Sequence, residues 1–380
     1  MKKYFWILSI LLVAAVSTGV LLRTNLEPIS QEVLDTTVQK AREKFNVPSA
    51  VVYVLNSEEI LYKSIQGERI LASNQLVTEN DYFHIGSCSK SILSMIAGKQ
   101  IEANLLNWDT ALLEVAPELK PYALPEYEHI TLEDLLLCEA GIQPFTNGAE
   151  EYPASIENSS KSEEEFAKYL LSKSPSAALT KDGARFEHLY SNASYSLAAY
   201  MLKKATEKTY ETLLDEMLVE ELGFSYHVGW PNTYDEKQPW GHGDFNGKGL
   251  EAFGPDFPYA LNSLIMPAGD LSMTPHDFAS LTQMMLRGLR GEQNYLSPET
   301  YQTISFGHDS FSYGVYNDQM LGHTYAGMDG SAGTFFCRSI IIPDSDLAIV
   351  IMINSGSQAA VEWITMQIAK AHYQWWWMVW

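Results

Sequence analysis

Cysteine is scarce in this 380-residue sequence, which contains only Cys88, Cys138 and Cys337. Because the number is small and odd, we expect buried thiols rather than a disulfide framework. The sequence also lacks HExxH and CxxC motifs, phosphate-binding loops and Rossmann glycines. The Gly-x-Ser-x-Gly elbow of α/β-hydrolases is absent too. We therefore expect no metal site, no cofactor and no α/β-hydrolase fold.

Positive charge is the second shortage. Lys and Arg total 25 against 47 Asp and Glu, so the formal net charge is -22 at pH 7. A surface this acidic repels phosphate backbones, and we expect no nucleic-acid partner. By contrast, 46% of the residues are hydrophobic and 12% are aromatic, enough to build a sizeable core.

The N-terminus carries the longest uncharged run. Residues 4–22 have no charge and follow Lys2 and Lys3. This pattern predicts an export signal in residues 1–22, and therefore a periplasmic or extracellular protein. Small residues ending at Ser17 allow cleavage, whereas a run close to ~20 residues also suits a retained membrane anchor. Both alternatives remain open.

A tryptophan-rich tail, residues 373–380, closes the chain. One interpretation is packing against the body or an irregular tail. The other is contact with a membrane interface, where indole rings are favoured. The sequence leaves both open.

The rest of the chain, residues 28–375, shows a recognisable order of secondary-structure patterns. A helix and two strands come first, a long mostly helical stretch follows, and further strands and a helix end the pattern. The predicted helices and strands outside the long stretch are a helix at 30–45 capped by Ser30, a hairpin at 49–67, a capped helix that begins at Thr274, two strands from 333 around a Pro-Asp turn, and a helix at 360–372. The segment from Trp230 to Phe257 is predicted to be a loop.

This order predicts an α/β sandwich beside an all-α lobe, with a site in the cleft between them. We place the sheet lobe at about 28–75 and 265–372, and the inserted helical lobe at about 76–264.

A candidate nucleophile lies in the segment FHIGSCSKSI, where Ser87 and Lys90 are three residues apart at the start of a predicted helix. Residues at this spacing share one helix face, so the lysine can take the serine proton if burial lowers its pKa. Backbone N–H groups at the helix start can also stabilise an oxyanion. The alternative is a helix-capping serine beside a surface charge.

A second candidate segment is Tyr190-Ser-Asn192. A tyrosine beside a lysine ammonium is expected to have a depressed pKa and can act as a general base. Asn192 can hold a substrate amide or the lysine. The alternative is a purely structural tyrosine and asparagine.

Taken together and in order, these segments resemble the serine β-lactamase and penicillin-binding protein family, in its class C-like branch. Three further segments contribute to the resemblance, which runs from about residue 30 to 370: ITLEDLLLCEAGI from 130, PAGDLSMTPHDFASLTQMMLRG from 267 and MDGSAGTFFCRSIIIPD from 328. The resemblance implies a β-lactamase/transpeptidase-like fold, in which an antiparallel sheet is flanked by helices and carries an inserted helical lobe.

The resemblance also implies roles for single residues. Ser87 would be acylated, and Lys90 and Tyr190 would share the proton transfers, with the identity of the base left open. Asn192 would orient the substrate. The backbone N–H groups of Ser87 and Ser331 would form the oxyanion hole.

The third family motif, usually Lys-Thr-Gly or His-x-Gly, is altered to Met328-Asp329-Gly330. This change removes the cation that helps to hold a substrate carboxylate. By position, the resemblance makes Met328, Asp329, Gly330 and Ser331 candidate substrate-binding residues. If Asp329 faced the cleft, its carboxylate and a substrate carboxylate ~4 Å away would repel by ~4 kcal/mol at an effective dielectric of about 20. If Asp329 pointed toward Arg338 instead, only the missing cation would weaken the binding of a substrate carboxylate. The pattern around Cys138 departs from the family as well.

The leading hypothesis is therefore an exported serine hydrolase that forms an acyl-enzyme on esters or amides of small molecules or peptides. A DD-carboxypeptidase or β-lactamase is the alternative within the enzymes. A catalytically weak module that binds cell-wall peptide is the alternative from another class. Trp240 and His242 are candidate substrate contacts, or parts of an ordered surface loop.

Overall fold

The computed structural model describes residues 28–146, 152–257 and 261–373, so the predicted export signal lies outside it, as do residues 374–380. Tyr373, the first residue of the predicted tail, ends the last helix. Within the described ranges, no helix is both long and apolar enough to cross a bilayer.

Twelve strands are found in the described ranges. They are β1 (Ser49–Leu55), β2 (Ile60–Gly67), β3 (Phe83–His84), β4 (Tyr226–Val228), β5 (Gly241–Gly243), β6 (Glu251–Phe253), β7 (Leu271–Met273), β8 (Phe311–Ser312), β9 (Val315–Met320), β10 (His323–Ser331), β11 (Phe336–Ile342) and β12 (Leu347–Ile353).

The α-helices of the same ranges are α1 (Gln31–Phe45), α2 (Ser89–Glu102), α3 (Leu112–Val115), α4 (Leu132–Leu136), α5 (Ser162–Leu171), α6 (Asn192–Thr206), α7 (Tyr210–Leu214), α8 (Pro231–Tyr234), α9 (Met266–Gly269), α10 (Pro275–Leu289), α11 (Pro298–Phe306) and α12 (Gln358–Tyr373). A π-helical turn (Asp215–Glu221) follows α7, and 3-10 turns lie at Gly86–Cys88, Pro117–Leu119, Pro125–Tyr127, Ser263–Ile265 and Pro343–Ser345.

The main sheet has seven strands in the order β2-β1-β12-β11-β10-β9-β8, with antiparallel neighbours throughout. Both hairpins expected from the sequence are present. The first pairs β1 with β2, and the second pairs β11 with β12 around the turn at Pro343. The predicted helix caps are also confirmed: Ser30 accepts a hydrogen bond from the first turn of α1, and Thr274 does so in α10.

The central strands are buried on both faces, which explains their nearly continuous apolar sequences. On one face, Leu34 and Val38 of α1 pack with Val361 and Ile364 of α12 against alternate residues of β1, β11 and β12. The remaining residues of these strands join a second and larger core, which includes α10, α2, α4 and α6. The helices inserted between β3 and β7 are thus held to the sheet by one continuous core.

A small three-stranded sheet, in the order β3-β7-β4, lies where the chain enters and leaves this helical insert. The segment from Trp230 to Phe257, expected to be a loop, contains the short helix α8 and the two-stranded sheet β5-β6. Its strands have only three residues each, too short for an alternating pattern to be read from the sequence.

Candidate active site

The segment around Ser87 is a tight turn between β3 and α2. Gly86 has a φ of 52°, in the left-handed region that favours glycine, and a single 3-10 turn then leads into the helix. Every residue from Phe83 to Gly98 is buried except Ser87. The sequence around the turn therefore forms core, and Ser87 is the one residue of this segment that is partly exposed.

The helix-capping alternative for Ser87 is wrong. The cap positions of the 3-10 turn and of α2 are Ile85 and Cys88, and neither helix start has a side-chain capping hydrogen bond. Lys90 is also no surface charge, because its side chain is only 1% exposed.

Two glycines allow strand β10 to pass directly against this turn. A Cβ atom on Gly330 would lie 1.8 Å from the carbonyl oxygen of Ile85, and a Cβ on Gly86 would lie 2.4 Å from the backbone nitrogen of Ser331. Because neither glycine has a side chain, the Ser331 nitrogen sits beside the Ser87 turn. The structure thus brings together the two backbone segments expected to form an oxyanion hole.

Lys90 is the buried centre of the site. Its Nζ lies 3.3 Å from Ser87 Oγ, 2.7 Å from Asn192 Oδ1 and 2.7 Å from the carbonyl oxygen of Ala268. The aromatic rings of Tyr190 and Tyr195 lie 4.7 Å and 5.2 Å from the same nitrogen. Among the described residues, no carboxylate forms an ion pair with Lys90. Burial therefore dominates and lowers the pKa of Lys90 from 10.5 to about 7.

Asn192 is held in place by the start of helix α6. Ser191 caps this helix by accepting a hydrogen bond from the backbone N–H of Ser194 at 3.0 Å. The Asn192 side chain donates from Nδ2 to the carbonyl oxygen of Phe145 at 2.8 Å. Because the amide donates on that side, its oxygen faces Lys90.

Tyr190 lies next to both Ser87 and Lys90, as expected. Its hydroxyl is influenced by the neighbouring Ser87 side chain, and its ring packs edge-to-face against Phe311, with centroids 6.1 Å apart. The expected depression of its pKa is wrong. Desolvation by burial raises the pKa of Tyr190 well above its ordinary value, and this effect exceeds the opposite effect of the neighbouring Ser87 side chain.

Asp329 does not face the candidate site, which corrects its assignment as a substrate-binding residue. Its carboxylate forms an ion pair with Arg338, and Oδ1 accepts a 3.0 Å hydrogen bond from the Tyr316 hydroxyl on the opposite face of the sheet. Alternation along β10 turns Met328 the other way, into the larger core. The Met-Asp pair therefore adds no negative charge to the site and supplies no cation.

The Ser331 side chain is engaged in its own turn. Its Oγ donates to the carbonyl oxygen of Phe335 at 2.6 Å and accepts from the N–H of Gly333 at 3.0 Å. Its backbone nitrogen, rather than its hydroxyl, is the group placed beside Ser87.

Sequence reasoning missed three contributors to the site. The carbonyl of Ala268 binds Lys90, and backbone atoms have no sequence signature. Gly314 packs so closely that an added Cβ would lie 2.9 Å from Lys90 Cβ, and Tyr313-Gly314 forms the two-residue turn between β8 and β9. Tyr-Gly is not one of the preferred hairpin dipeptides and β9 is largely polar, so the sequence carried no strong hairpin signal here. Phe311, on the same hairpin, lines the site beside Tyr190.

The cysteines and His242, which were considered as functional residues, are buried inside the protein. All three cysteines are buried and free, and burial raises the pKa of Cys138 to about 11. His242 is fully buried, where it accepts from the N–H of Leu71 and contacts the carbonyl oxygen of Asn354. His242 is therefore not a substrate contact, while Trp240 is only partly buried. Across the described ranges, no cluster of three or more His, Cys, Asp or Glu side chains could hold a metal ion.

Comparisons with known proteins concern the family and the fold of the whole chain. A β-lactamase from Pseudomonas fluorescens is 23% identical over 204 residues, which cover 53% of this chain and 52% of that relative. The match thus spans about half the length of the relative.

Solved structures match over more of the chain. A class C β-lactamase superposes with a TM-score of 0.71 at 18% identity, covering 90% of this chain and 95% of the other. An octameric penicillin-binding protein homologue from Pyrococcus abyssi gives 0.71 at 18% identity, with 90% and 77% covered. A β-lactamase from Sulfitobacter sp. EE-36 gives 0.70 at 16% identity, with 90% and 98% covered. At these identities the likeness shows the fold.

The sequence profile of the family described as Beta-lactamase matches residues 34–370, which include nearly all of the described chain. The predicted β-lactamase/transpeptidase-like fold, an antiparallel sheet flanked by helices, is confirmed. The chain belongs to the β-lactamase family.

Proposed function

We propose that this protein is a serine hydrolase that forms an acyl-enzyme on Ser87. Its preferred substrates are esters or amides that carry no carboxylate. The observation that carries the proposal is Lys90, a buried amine with a pKa of about 7, whose Nζ lies 3.3 Å from the hydroxyl oxygen of the partly exposed Ser87. Near neutral pH, a large fraction of such an amine is unprotonated and can accept a proton.

In acylation, Ser87 Oγ attacks the substrate carbonyl carbon while its proton moves to Lys90 Nζ. The carbonyl π electrons move to oxygen, and the backbone N–H groups of Ser87 and Ser331 stabilise the resulting oxyanion. Removing one such donor typically costs ~10²–10³ in rate. Asn192 Oδ1 and the Ala268 carbonyl accept hydrogen bonds from the lysine and keep it aimed at the serine.

Tyr190 acts in this scheme as a proton carrier in its neutral form. Because burial raises its pKa, the phenol keeps its proton and can donate it to the leaving group as the bond to carbon breaks. Lys90 then returns a proton to Tyr190. In deacylation, water adds to the ester carbonyl, its proton is taken up by the Tyr190–Lys90 pair, and Ser87 Oγ leaves with a proton.

The proposed preference for substrates without a carboxylate rests on the β10 strand. Met328 stands where the family commonly has a cation, and Arg338 is held by Asp329 on the far face of the sheet. Neutral acyl groups need no such cation. The net charge of -22 adds a long-range repulsion of anionic substrates at low ionic strength.

Mass spectrometry after incubation with p-nitrophenyl acetate tests the nucleophile. We expect one acetyl group on the peptide that contains Ser87, and no acetylation of this peptide in Ser87→Ala. Acetylation that persists in Ser87→Ala, or an unmodified wild-type protein, would contradict the proposal.

Penicillin, used in a parallel incubation, separates the alternatives. Family membership favours a DD-carboxypeptidase or β-lactamase as the second candidate. Fast formation of a penicilloyl adduct on Ser87 would favour that candidate over the esterase. A protein that binds cell-wall peptide yet reacts with neither reagent would be the binding module.

The effect of Met328 on carboxylate-bearing substrates can be tested in the same assay with Met328→Lys. This variant restores a cation at the strand position, and we expect penicillin acylation to rise relative to acetate acylation. Met328→Leu is the matched control, because it keeps an apolar side chain of similar volume at this buried position.

Export is also part of the proposal, since its support is the charge and apolar pattern of residues 1–22. N-terminal sequencing of the protein recovered from the producing cells distinguishes a cleaved signal from a retained anchor. Contact of residues 373–380 with a membrane is a separate proposal, which vesicle flotation of the full chain and a chain ending at 372 would test.

A further inference from the structure

A buried His–Asp pair lies directly behind the candidate nucleophile. His84 is fully buried and precedes Ser87 by three residues, while Asp270 is 6% exposed and follows Ala268 by two. His84 Nε2 lies 3.0 Å from Asp270 Oδ1. His84 Nδ1 is buried with no hydrogen-bond partner in the described part of the chain. The polar contact of the ring is therefore directed at Asp270.

The pair joins two segments that carry different parts of the site. Ile85 donates its backbone N–H to Leu271, so strand β3 before the Ser87 turn is tied to strand β7 after the Ala268 turn. A Cβ on Gly269 would lie 3.7 Å from the backbone nitrogen of Ser87, which places the two turns in van der Waals contact. Any movement of one turn changes the Ser87–Lys90 geometry, because Lys90 is bound to the Ala268 carbonyl.

Trp230 connects the pair to a third segment. Its ring stacks on His84 with centroids 4.7 Å apart and planes inclined by 15°. Its Nε1 donates a 2.7 Å hydrogen bond to Thr334 Oγ1, three residues beyond Ser331. The three side chains therefore bridge the nucleophile turn, the lysine-binding carbonyl and the end of the oxyanion strand.

Building on the proposed function, we propose that His84, Asp270 and Trp230 form a positioning unit that holds Ser87, Ala268 and Ser331 at their working separations. None of the three side chains contacts the reacting atoms in this scheme. The unit acts through Ser87, Lys90 and the Ser331 nitrogen. A displacement of about 1 Å in such a site can cost about 10²-fold in rate.

The test compares Asp270→Ala with the conservative Asp270→Asn in steady-state hydrolysis of p-nitrophenyl acetate, together with the acylation burst. We expect Asp270→Ala to lower kcat and the burst rate about 10²-fold while KM changes less than about threefold. Asp270→Asn keeps an acceptor oxygen of the same reach, and we expect it to retain kcat within about fivefold of the wild type.

Trp230→Phe provides a second variant that keeps a stacked ring and removes the hydrogen bond to Thr334. We expect kcat to fall about tenfold, because the oxyanion strand loses one anchor. Tyr301→Phe is the control: it removes a partly buried 2.6 Å hydrogen bond from helix α11 to Asn294, away from the Ser87 turn. Its kcat should equal that of the wild type whatever its melting temperature.

The outcomes separate positioning from simple stabilisation. If Asp270→Ala and Trp230→Phe melt earlier but keep the wild-type kcat, as Tyr301→Phe should, the positioning role is refuted. If Asp270→Ala does not fold, the Trp230→Phe result decides alone. Failure of the proposed function would appear earlier, as a wild-type protein that is not acylated on Ser87.

Discussion

Replacing Lys90 by methionine should remove a pH-dependent destabilisation of the folded protein while it abolishes acylation. The ammonium is buried, and burial lowers the pKa of Lys90 from 10.5 to about 7. At ~1.4 kcal/mol for each pKa unit, this difference corresponds to roughly 5 kcal/mol of destabilisation when both the folded and the unfolded chain carry the charge. Methionine has a similar shape and carries no charge.

The sign of the pH dependence follows from proton uptake. Between about pH 7 and 10.5, the unfolded chain holds a proton on Lys90 that the folded chain has released. Unfolding therefore takes up a proton, and this group makes the wild type more stable as pH rises through that interval. Below about pH 7 the destabilisation is present in full. Lys90→Met lacks this contribution at every pH.

The assay is denaturant unfolding of both proteins at pH values from about 6.5 to about 10. Lys90→Met also leaves the Asn192 and Ala268 oxygens without their donor, at about 1–3 kcal/mol each. That cost does not depend on pH, so the informative quantity is the change with pH of the difference between variant and wild type. We expect this difference to favour the variant most at low pH and to shrink by several kcal/mol toward pH 10.

Lys99→Met is the matched control for this measurement. Lys99 lies on the same helix, but its side chain is 36% exposed and bonds Glu221 at the surface. Its substitution should leave the pH dependence of stability as in the wild type. If the free energies of unfolding of wild type and Lys90→Met change in parallel between about pH 6.5 and pH 10, the argument that burial lowers the pKa of Lys90 is refuted.

Three further predictions concern rate, packing and selectivity. The acylation rate with p-nitrophenyl acetate should rise with pH through about 7, where Lys90 loses its proton, and a flat profile would contradict its role as base. Gly330→Ala should reduce acylation by at least ~10²-fold, since its Cβ would lie 1.8 Å from the Ile85 oxygen; a burst assay with wild-type rate would refute this close approach. Asp329→Ala should lower stability by about 3–5 kcal/mol, because Arg338 is left buried and unpaired, yet leave the ratio of acetate to penicillin acylation unchanged. A shift of that ratio toward penicillin would show that Asp329 does act on substrate carboxylates.

The order of strands and helices was readable from the sequence because those features are local. Apolar runs bounded by turn residues predicted the hairpins of β1-β2 and β11-β12, and capping residues located the starts of α1 and α10. The spacing of Ser87 and Lys90 was also a local signal, since a three-residue separation at a helix start fixes their mutual distance. The family resemblance supplied the long-range arrangement that these patterns leave open.

Side-chain direction and proton affinity were decided by the tertiary structure. The sequence left two directions open for Asp329, and strand alternation together with the cross-strand partner Arg338 selected the far face. It predicted the wrong pKa direction for Tyr190, because the effect of a nearby charge is visible in a motif whereas desolvation by distant residues is not.

By itself, then, the sequence determined the local elements, the Ser87–Lys90 pair and the family. The Ala268 carbonyl, the close approach of Gly330 and the contact between His84 and Asp270 exist only once residues far apart in the chain are folded together. The physical reason is that periodicity and spacing report which groups share a surface, while burial and hydrogen-bond partners depend on what packs against that surface.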